Sequence, residues 1–232
     1  MSETIAIIGD GAMGTLSAIL LHENGYRVRL WSAFGDYAEE LATTRMNRKF
    51  FPEVPLPEAV EVTGDDAEAF AGADWAVSAV PAQYVRDVWS RLSGHCPAGL
   101  PVVSITKGIE NDTLLRPSEV VRDAGGAPDR PVVVLSGPCI APEVARRLPA
   151  TVTVACEDRA LVEQVQQLFL RPYFRVYTNA DPVGVELAGA TKNVVAIAAG
   201  ILDGLEYGCN AKASLVTRGL TEISRLGEAM GA

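Results

Sequence analysis

An apolar strand followed directly by a glycine-rich turn and a helix is the feature that most constrains the fold of this chain. Residues 4–8 predict a buried strand, and Gly9, Gly11 and Gly14 form a GxGxxG turn that opens a helix over Ala12–Asn24. This order of strand, turn and helix is typical of the first βαβ unit of a dinucleotide-binding sheet. Because a helix amino terminus offers unpaired N–H groups to phosphates, the turn predicts a dinucleotide site.

Apolar strand-like runs alternate with helix-like runs from the glycine turn to about residue 180. Further strands are predicted at residues 27–31, 60–63, 74–80, 101–105, 131–135, 151–155 and 174–177. Such alternation is typical of a mostly parallel sheet that helices cover on both faces. We therefore predict an α/β fold, with a Rossmann-like, doubly wound sheet in a dinucleotide-binding domain over residues 1–180.

No strand pattern follows residue 181, and two helices are predicted instead, over Pro182–Leu205 and Ala211–Met230. The stretch 181–232 is therefore predicted to be the start of an all-α C-terminal domain, a partial substrate domain. Two helices bury little surface by themselves. We expect them to pack on the sheet domain, on further helices or on a partner subunit, so a homodimer is one possible arrangement.

Composition limits the classes of partner. The 48% of hydrophobic residues can bury a sizeable core, whereas a net charge of −9 opposes non-specific binding of nucleic acid. No signal peptide is expected, because no basic segment precedes an apolar run at the start. No membrane span is expected either, since every apolar run of about 18 residues contains a charge. The cysteines form no CxxC pair, which argues against a metal site and favours a reducing cytoplasm: Cys96, Cys139, Cys156 and Cys209.

The end of the second predicted strand leaves the choice between NAD and NADP open. In many NAD enzymes a carboxylate follows this strand and holds the ribose diol. Here the strand ends L-W-S-A-F, and Asp36 is the nearest carboxylate, with Arg45 and Arg48 further along the chain. Asp36 is also the kind of residue that starts a solvated helix. The predicted cofactor is therefore NAD or NADP, used with a small-molecule substrate.

Two turns that follow predicted strands carry candidate ligand contacts. Lys107 comes directly after the strand 101–105, and Gly108 permits a sharp turn there. Ligands of open α/β sheets bind beyond the carboxyl ends of the strands, which favours a contact between Lys107 and cofactor or substrate over an ordinary surface lysine. Gly137 begins a second turn, G-P-C-I-A-P-E, whose N–H groups suit an anion or a carbonyl oxygen. A purely structural turn explains Gly137 equally well.

Lys192 lies within the first helix of the C-terminal stretch. Its helical neighbours are small or apolar: Ala188, Gly189, Val195 and Ala196. A lysine on such a face is predicted to be partly desolvated, which suits proton transfer near neutral pH. The alternative is a lysine whose stem packs on the helix while its ammonium reaches water. We predict a catalytic role for Lys192.

Several motifs together resemble one family. They are the turn G-D-G-A-M-G-T, the run R-M-N-R-K-F-F-P-E-V-P-L-P, the segments T-K-G-I-E and S-G-P-C-I-A-P-E-V-A, and the long run D-P-V-G-V-E-L-A-G-A-T-K-N-V-V-A-I-A-A-G. The chain resembles the bacterial-type NAD(P)H-dependent glycerol-3-phosphate dehydrogenases along its whole length and in the same order. The last run is highly specific to that family.

The resemblance implies reversible reduction of dihydroxyacetone phosphate to sn-glycerol 3-phosphate with NADH or NADPH, which supplies phospholipid synthesis. It implies that Lys192 donates the proton to the forming alkoxide and that Lys107 contacts both the nicotinamide end and the substrate. Gly137 and Cys139 would line the substrate site. By the same resemblance the residues that contact the cofactor are Gly9, Gly11, Ala12, Met13, Gly14, Lys107 and Ala141.

Three departures from the family pattern bear on activity. The family usually has serine or threonine at Cys139 and often an aromatic residue at Met13. It also continues beyond the position of Ala232, with an aspartate and a Ser-Arg-Asn segment that grips the substrate phosphate, so we expect a C-terminally truncated relative. Two alternatives stay open: a non-catalytic NAD(P)-binding protein of the same family, and a hydroxyacid or ketopantoate-type reductase on a related fold. The run 181–223 argues against the second alternative.

Overall fold

One eight-stranded sheet forms the centre of the computed structural model, which describes residues 2–52 and 54–232. Its strands are β1 (Thr4–Ile8), β2 (Arg27–Trp31), β3 (Glu61–Thr63), β4 (Trp75–Ser78), β5 (Val102–Ser104), β6 (Val132–Ser136), β7 (Ala150–Ala155) and β8 (Phe174–Asn179). They lie in the order β3-β2-β1-β4-β5-β6-β7-β8, and every neighbouring pair is parallel except β6 and β7. The predicted Rossmann-like, mostly parallel sheet is confirmed.

Helices alternate with these strands and then continue alone. They are α1 (Ala12–Glu23), α2 (Gly35–Thr44), α3 (Val85–Leu92), α4 (Pro117–Ala124), α5 (Ala141–Ala145), α6 (Arg159–Phe169), α7 (Pro182–Gly204) and α8 (Gly208–Ala229). Along β1, Ile5 and Ile7 join a core with α1 and α6, whereas Ala6 and Ile8 join a second core with α3 and α4. Because both faces of β1 are buried, every residue of the strand is buried, as is typical of parallel sheets.

One helix begins later than the sequence predicts. The sequence predicts a helix over Thr113–Ala124, but α4 begins at Pro117. Asp112 and Leu114 adopt φ angles of 67° and 59°, in the left-handed region that an α-helix cannot contain. The residues before Pro117 therefore form a turn, although their composition favours a helix.

Helix α7 is attached to the sheet domain by a buried carboxylate. Glu186 is 4% exposed and accepts hydrogen bonds from the Arg116 guanidinium at 2.7 Å, the Ser118 N–H at 2.9 Å and the Ser118 hydroxyl at 2.6 Å. Burial raises the pKa of the Glu186 carboxyl, and the bonds from Ser118 and Arg116 act in the opposite direction. The start of α7 is thus tied to the start of α4.

Composition alone would allow α7 to cross a membrane. Its most apolar 18-residue window has a mean hydropathy of 1.4, and among the described residues no other helix passes that test. No membrane span was expected from the sequence, but by length and composition α7 is one candidate span among the described residues. The bonds of Glu186 hold the first part of this helix against the sheet domain.

We expect Glu186→Ala to lower the free energy of unfolding by about 2 kcal/mol, because the Ser118 N–H and the Arg116 guanidinium lose their buried acceptor. Glu186→Gln keeps one acceptor oxygen but turns its amide NH2 toward a donor in place of the second oxygen, so it should cost less than alanine, about 1 kcal/mol. Urea unfolding of the three proteins, followed by circular dichroism, measures the differences. Equal stability of the wild-type and alanine proteins would contradict the anchoring role.

The difference in stability between the wild type and Glu186→Gln should depend on pH. Since the pKa of Glu186 is raised in the folded state, its contribution to stability is full below its unfolded pKa and declines as pH rises through the folded pKa. Glutamine does not titrate. The stability advantage of the wild type over Glu186→Gln should therefore shrink as pH rises above the ordinary carboxyl pKa, and an advantage that grows would show the opposite sign of shift.

Candidate active site

The glycine turn between β1 and α1 is tight on one side and open on the other. Gly9 has a φ of 110°, and a Cβ there would lie 2.9 Å from the carbonyl oxygen of Ala79. A Cβ on Gly14 would lie 2.0 Å from the carbonyl oxygen of Gly9, so α1 packs directly on the turn. A Cβ on Gly11 would meet no heavy atom within 4 Å apart from its chain neighbours. Space for a ligand is therefore available at Gly11.

The amino terminus of α1 begins at this open space. Gly11 is its N-cap, and no side chain caps the helix, so its first N–H groups are available to phosphate oxygens. Ala12 and Met13 in the first turn are half-buried. Ala141 begins α5, which contacts α1, but it is 5% exposed and offers little surface. The turn and the start of α1 fit the phosphates of a dinucleotide.

Asn47 holds the glycine turn in place, and the sequence analysis missed it. This fully buried side chain donates to the carbonyl oxygen of Asp10 at 2.6 Å and to the hydroxyl of Thr15 at 2.7 Å. Its Oδ1 accepts from the Tyr37 hydroxyl at 2.7 Å and from the Phe50 N–H at 3.0 Å. Asn47 lies 37 positions after Asp10, so local spacing alone could not connect the two.

Lys107 follows the carboxyl end of β5 and reaches the turn after β6. Its Nζ donates to the carbonyl oxygen of Gly137 at 3.0 Å and lies 3.8 Å from Sγ of Cys139. The loop that carries it is fixed by Glu110, whose carboxylate accepts three hydrogen bonds from the Arg86 guanidinium. These bonds lower the pKa of Glu110 despite its burial. Lys107, Gly137 and Cys139, which the sequence analysis assigned to the substrate site, thus lie together.

Gly137 is also required by packing. Its φ is 153°, and a Cβ there would lie 2.7 Å from both the carbonyl oxygen of Thr151 and Cα of Val152. The turn after β6 therefore lies directly against β7. A side chain at this position would push the turn away from the sheet and would displace the carbonyl group that Lys107 contacts.

A cleft of about 320 Å³ brings Gly137 and Lys192 together, between the end of β6 and helices α7 and α8. Helix α7 comes close to β6 at Gly189, where a Cβ would lie 2.5 Å from the hydroxyl oxygen of Ser136. The same Cβ position is 3.8 Å from Cγ of Lys107. Lys107 therefore lies beside the cleft that Lys192 borders.

Lys192 is exposed, so the partial desolvation expected from its small neighbours is wrong. Its Nζ donates to Oδ1 of the adjacent Asn193 at 2.9 Å. The apolar side chains on the following turns of α7 face solvent as well, with Val194 and Ile197 69% and 66% exposed. Small neighbours remove water from a lysine only when another element covers the lysine as well. Helix α8 packs on Val195 at Gly219, but the Lys192 side chain stays exposed.

Comparisons with known proteins point to one family. The model of the NAD-dependent glycerol-3-phosphate dehydrogenase N-terminus matches residues 4–162, and that of the corresponding C-terminus matches residues 181–232. The glycerol-3-phosphate dehydrogenase [NAD(P)+] of Lysinibacillus sphaericus is 45% identical over 99% of this chain and 68% of its own length. That of a Geobacter species is 46% identical over 100% of this chain and 70% of its own length.

Comparison with solved structures points to the same family. The crystal structure of glycerol-3-phosphate dehydrogenase from Coxiella burnetii superposes with a TM-score of 0.91 at 36% identity, over 100% of this chain and 70% of that one. A ketopantoate reductase from Ralstonia eutropha has a TM-score of 0.58 at 16% identity, over 80% of this chain and 59% of that one, which shows a shared fold alone.

These matches confirm the predicted family and an NAD or NADP cofactor. The division at residue 180 and the roles of the individual site residues stay predictions. This chain belongs to the NAD-dependent glycerol-3-phosphate dehydrogenase family.

Proposed function

We propose that this chain is an oxidoreductase that interconverts dihydroxyacetone phosphate and sn-glycerol 3-phosphate with NADH or NADPH. The observation that carries the proposal is that Gly137 and Lys192 line one cleft and that Lys107, which donates to Gly137, lies beside it. The glycine turn lies at the same edge of the sheet, because β1, β4, β5 and β6 are parallel neighbours. Ligands of such sheets bind at that edge.

The residues of the chain would supply position, charge and a proton, while the bound cofactor supplies the hydride. The ammonium of Lys107 would hold the carbonyl substrate and stabilise negative charge that develops on its oxygen. Nζ of Lys192 would donate a proton to that oxygen during reduction, and its neutral amine would take the proton back during oxidation. Cys139 would line the site with a weak S–H donor in place of a hydroxyl.

The cellular role follows from the reaction. We propose that the chain supplies glycerol 3-phosphate for phospholipid synthesis in the cytoplasm. The four free cysteines of the described structure are compatible with a reducing compartment. Assembly as a homodimer also stays a prediction, which sedimentation equilibrium of the purified chain would test.

One observation favours a second candidate, an NAD(P)-binding protein without turnover. The proposed proton donor, Lys192, is exposed, and its ammonium contacts Asn193. A solvated ammonium donates its proton less readily than a desolvated one. In this alternative the glycine turn binds the cofactor, but the cleft does not complete the reaction.

The decisive experiment measures both binding and turnover on the purified chain. We expect loss of reduced-nicotinamide absorbance with dihydroxyacetone phosphate, and much slower loss with ketopantoate or with unphosphorylated dihydroxyacetone. Calorimetry with NADH and NADPH measures binding separately. Binding without turnover on any substrate would support the second candidate, and turnover that prefers ketopantoate would contradict the proposed substrate.

A further inference from the structure

The end of β2 presents no carboxylate to a ribose diol. Ser32 follows the strand, and its hydroxyl donates to the buried carboxylate of Asp10 at 2.8 Å. Phe34, two residues after Ser32, is the N-cap of α2, and its side chain is 61% exposed. In NAD enzymes an acidic residue here binds the ribose hydroxyls, whereas in NADP enzymes a nearby cation accommodates the 2′-phosphate. The groups around Phe34 therefore indicate which coenzyme fits.

An ammonium group lies over Phe34. Nζ of Lys49 is 5.6 Å from the centre of the Phe34 ring, 4.9 Å from that of Phe50 and 5.9 Å from that of Tyr37. Aromatic faces attract a cation without neutralising it. Within the part of the chain that the structure describes, no carboxylate lies within 4.0 Å of this Nζ. Among the described residues, this ammonium contacts aromatic faces, which leave its charge in place.

The main chain of Lys49 is fixed relative to the glycine turn. Its N–H donates to the Tyr37 hydroxyl at 3.2 Å, and that hydroxyl donates to Asn47 at 2.7 Å. Asn47 in turn donates to the carbonyl oxygen of Asp10 at 2.6 Å. Three consecutive hydrogen bonds therefore connect the residue that carries the ammonium to the turn at which the cofactor's phosphates would bind.

We propose that Lys49 binds the 2′-phosphate of NADPH and that NADPH is the preferred coenzyme of this chain. A phosphate monoester carries about two negative charges at neutral pH, and lysine acts as a point charge for phosphate. The competing group is Asp36 in the first turn of α2, an exposed carboxylate that would favour the free diol of NADH. The proposal rests on the proposed function only in taking the glycine turn as the cofactor site.

The test uses ligands that need no catalysis. Calorimetry compares adenosine 2′,5′-bisphosphate with AMP, and NADPH with NADH, on the folded chain. We expect the 2′-phosphorylated member of each pair to bind about tenfold more tightly or better, as a charge-assisted phosphate contact should. Lys49→Met should remove that difference and leave AMP and NADH affinities unchanged, whereas Lys49→Arg should keep it. Arg48→Met is the matched control, an adjacent exposed cation whose loss should change nothing.

Three outcomes would overturn the proposal. They are equal wild-type affinity within each pair, loss of selectivity in Arg48→Met with Lys49→Met unaffected, and an NADH preference that Asp36→Asn alone reverses. Circular dichroism of each variant excludes misfolding as the cause. Selectivity for the 2′-phosphate without turnover of dihydroxyacetone phosphate would contradict the proposed reaction but not the role of Lys49. Turnover with a preference for NADH would contradict the role of Lys49 but not the proposed reaction.

Discussion

Lys192→Met should lower kcat for dihydroxyacetone phosphate about a hundredfold to ten-thousandfold, the range that a positioned general acid contributes. The methionine keeps the length of the side chain but has no proton to donate. Affinity for NADH and NADPH should be unchanged, because Lys192 borders the cleft beside Gly137 and lies outside the glycine turn. Steady-state kinetics and calorimetry on the same preparations measure the two effects.

Lys212→Met is the matched control for this experiment. Lys212 is another lysine of the helical region, and it pairs with Asp203 rather than with the cleft. Its replacement should leave both kcat and coenzyme affinity near wild-type values. Near-normal turnover in Lys192→Met, or an equal loss in both variants, would contradict the assignment of Lys192 as the proton donor.

Gly14→Ala should lower the free energy of unfolding by about 3 kcal/mol or more, because the new Cβ would lie 2.0 Å from the carbonyl oxygen of Gly9. Neither backbone can yield without moving α1 away from β1. The better helix propensity of alanine offsets only about 1 kcal/mol of that loss. Chemical denaturation followed by circular dichroism gives the magnitude.

Gly11→Ala provides the contrast within the same turn. Its φ of −62° suits any residue, and a Cβ there meets only open space, so stability should change by about 0.5 kcal/mol at most. Coenzyme affinity should nevertheless fall, because the methyl group enters the space that the phosphates would occupy. Unchanged affinity in Gly11→Ala would place the cofactor elsewhere, and a stable Gly14→Ala would show that the helix tolerates a shift.

The parts of the fold that the sequence predicted well depend on neighbours in the chain. The strand at residues 4–8 and the glycines that follow it are readable locally, because burial on both faces makes the strand uniformly apolar and the turn needs glycine at set positions. The start of α4 at Pro117 was missed, since the positive φ angles before it have no signature in composition.

The features of the site that the sequence did not predict depend on contacts between residues far apart in the chain. Asn47 supports the glycine turn from 37 residues further along the chain, and its own neighbours in the sequence give no sign of that partner. The exposure of Lys192 was missed for a related reason, because helical spacing shows which residues share a face but not what covers that face. Lys107 and the turn at Gly137 lie together because neighbouring parallel strands end at one edge of a sheet, while the roles of both residues stay predictions.

Helix α7 is attached to the sheet domain near its start, so Lys192 lies close to the attachment and Gly204 lies far from it. The attachment lies at Glu186 and Gly189, where the helix is bonded to α4 and pressed against β6. Lys192 stands roughly 4.5 Å along the axis from Gly189, whereas Gly204 at the far end stands roughly 22 Å away. Any tilting that swings the far end by several ångströms would therefore shift Lys192 by only a fraction as much, and its ammonium would keep its alignment with the cleft.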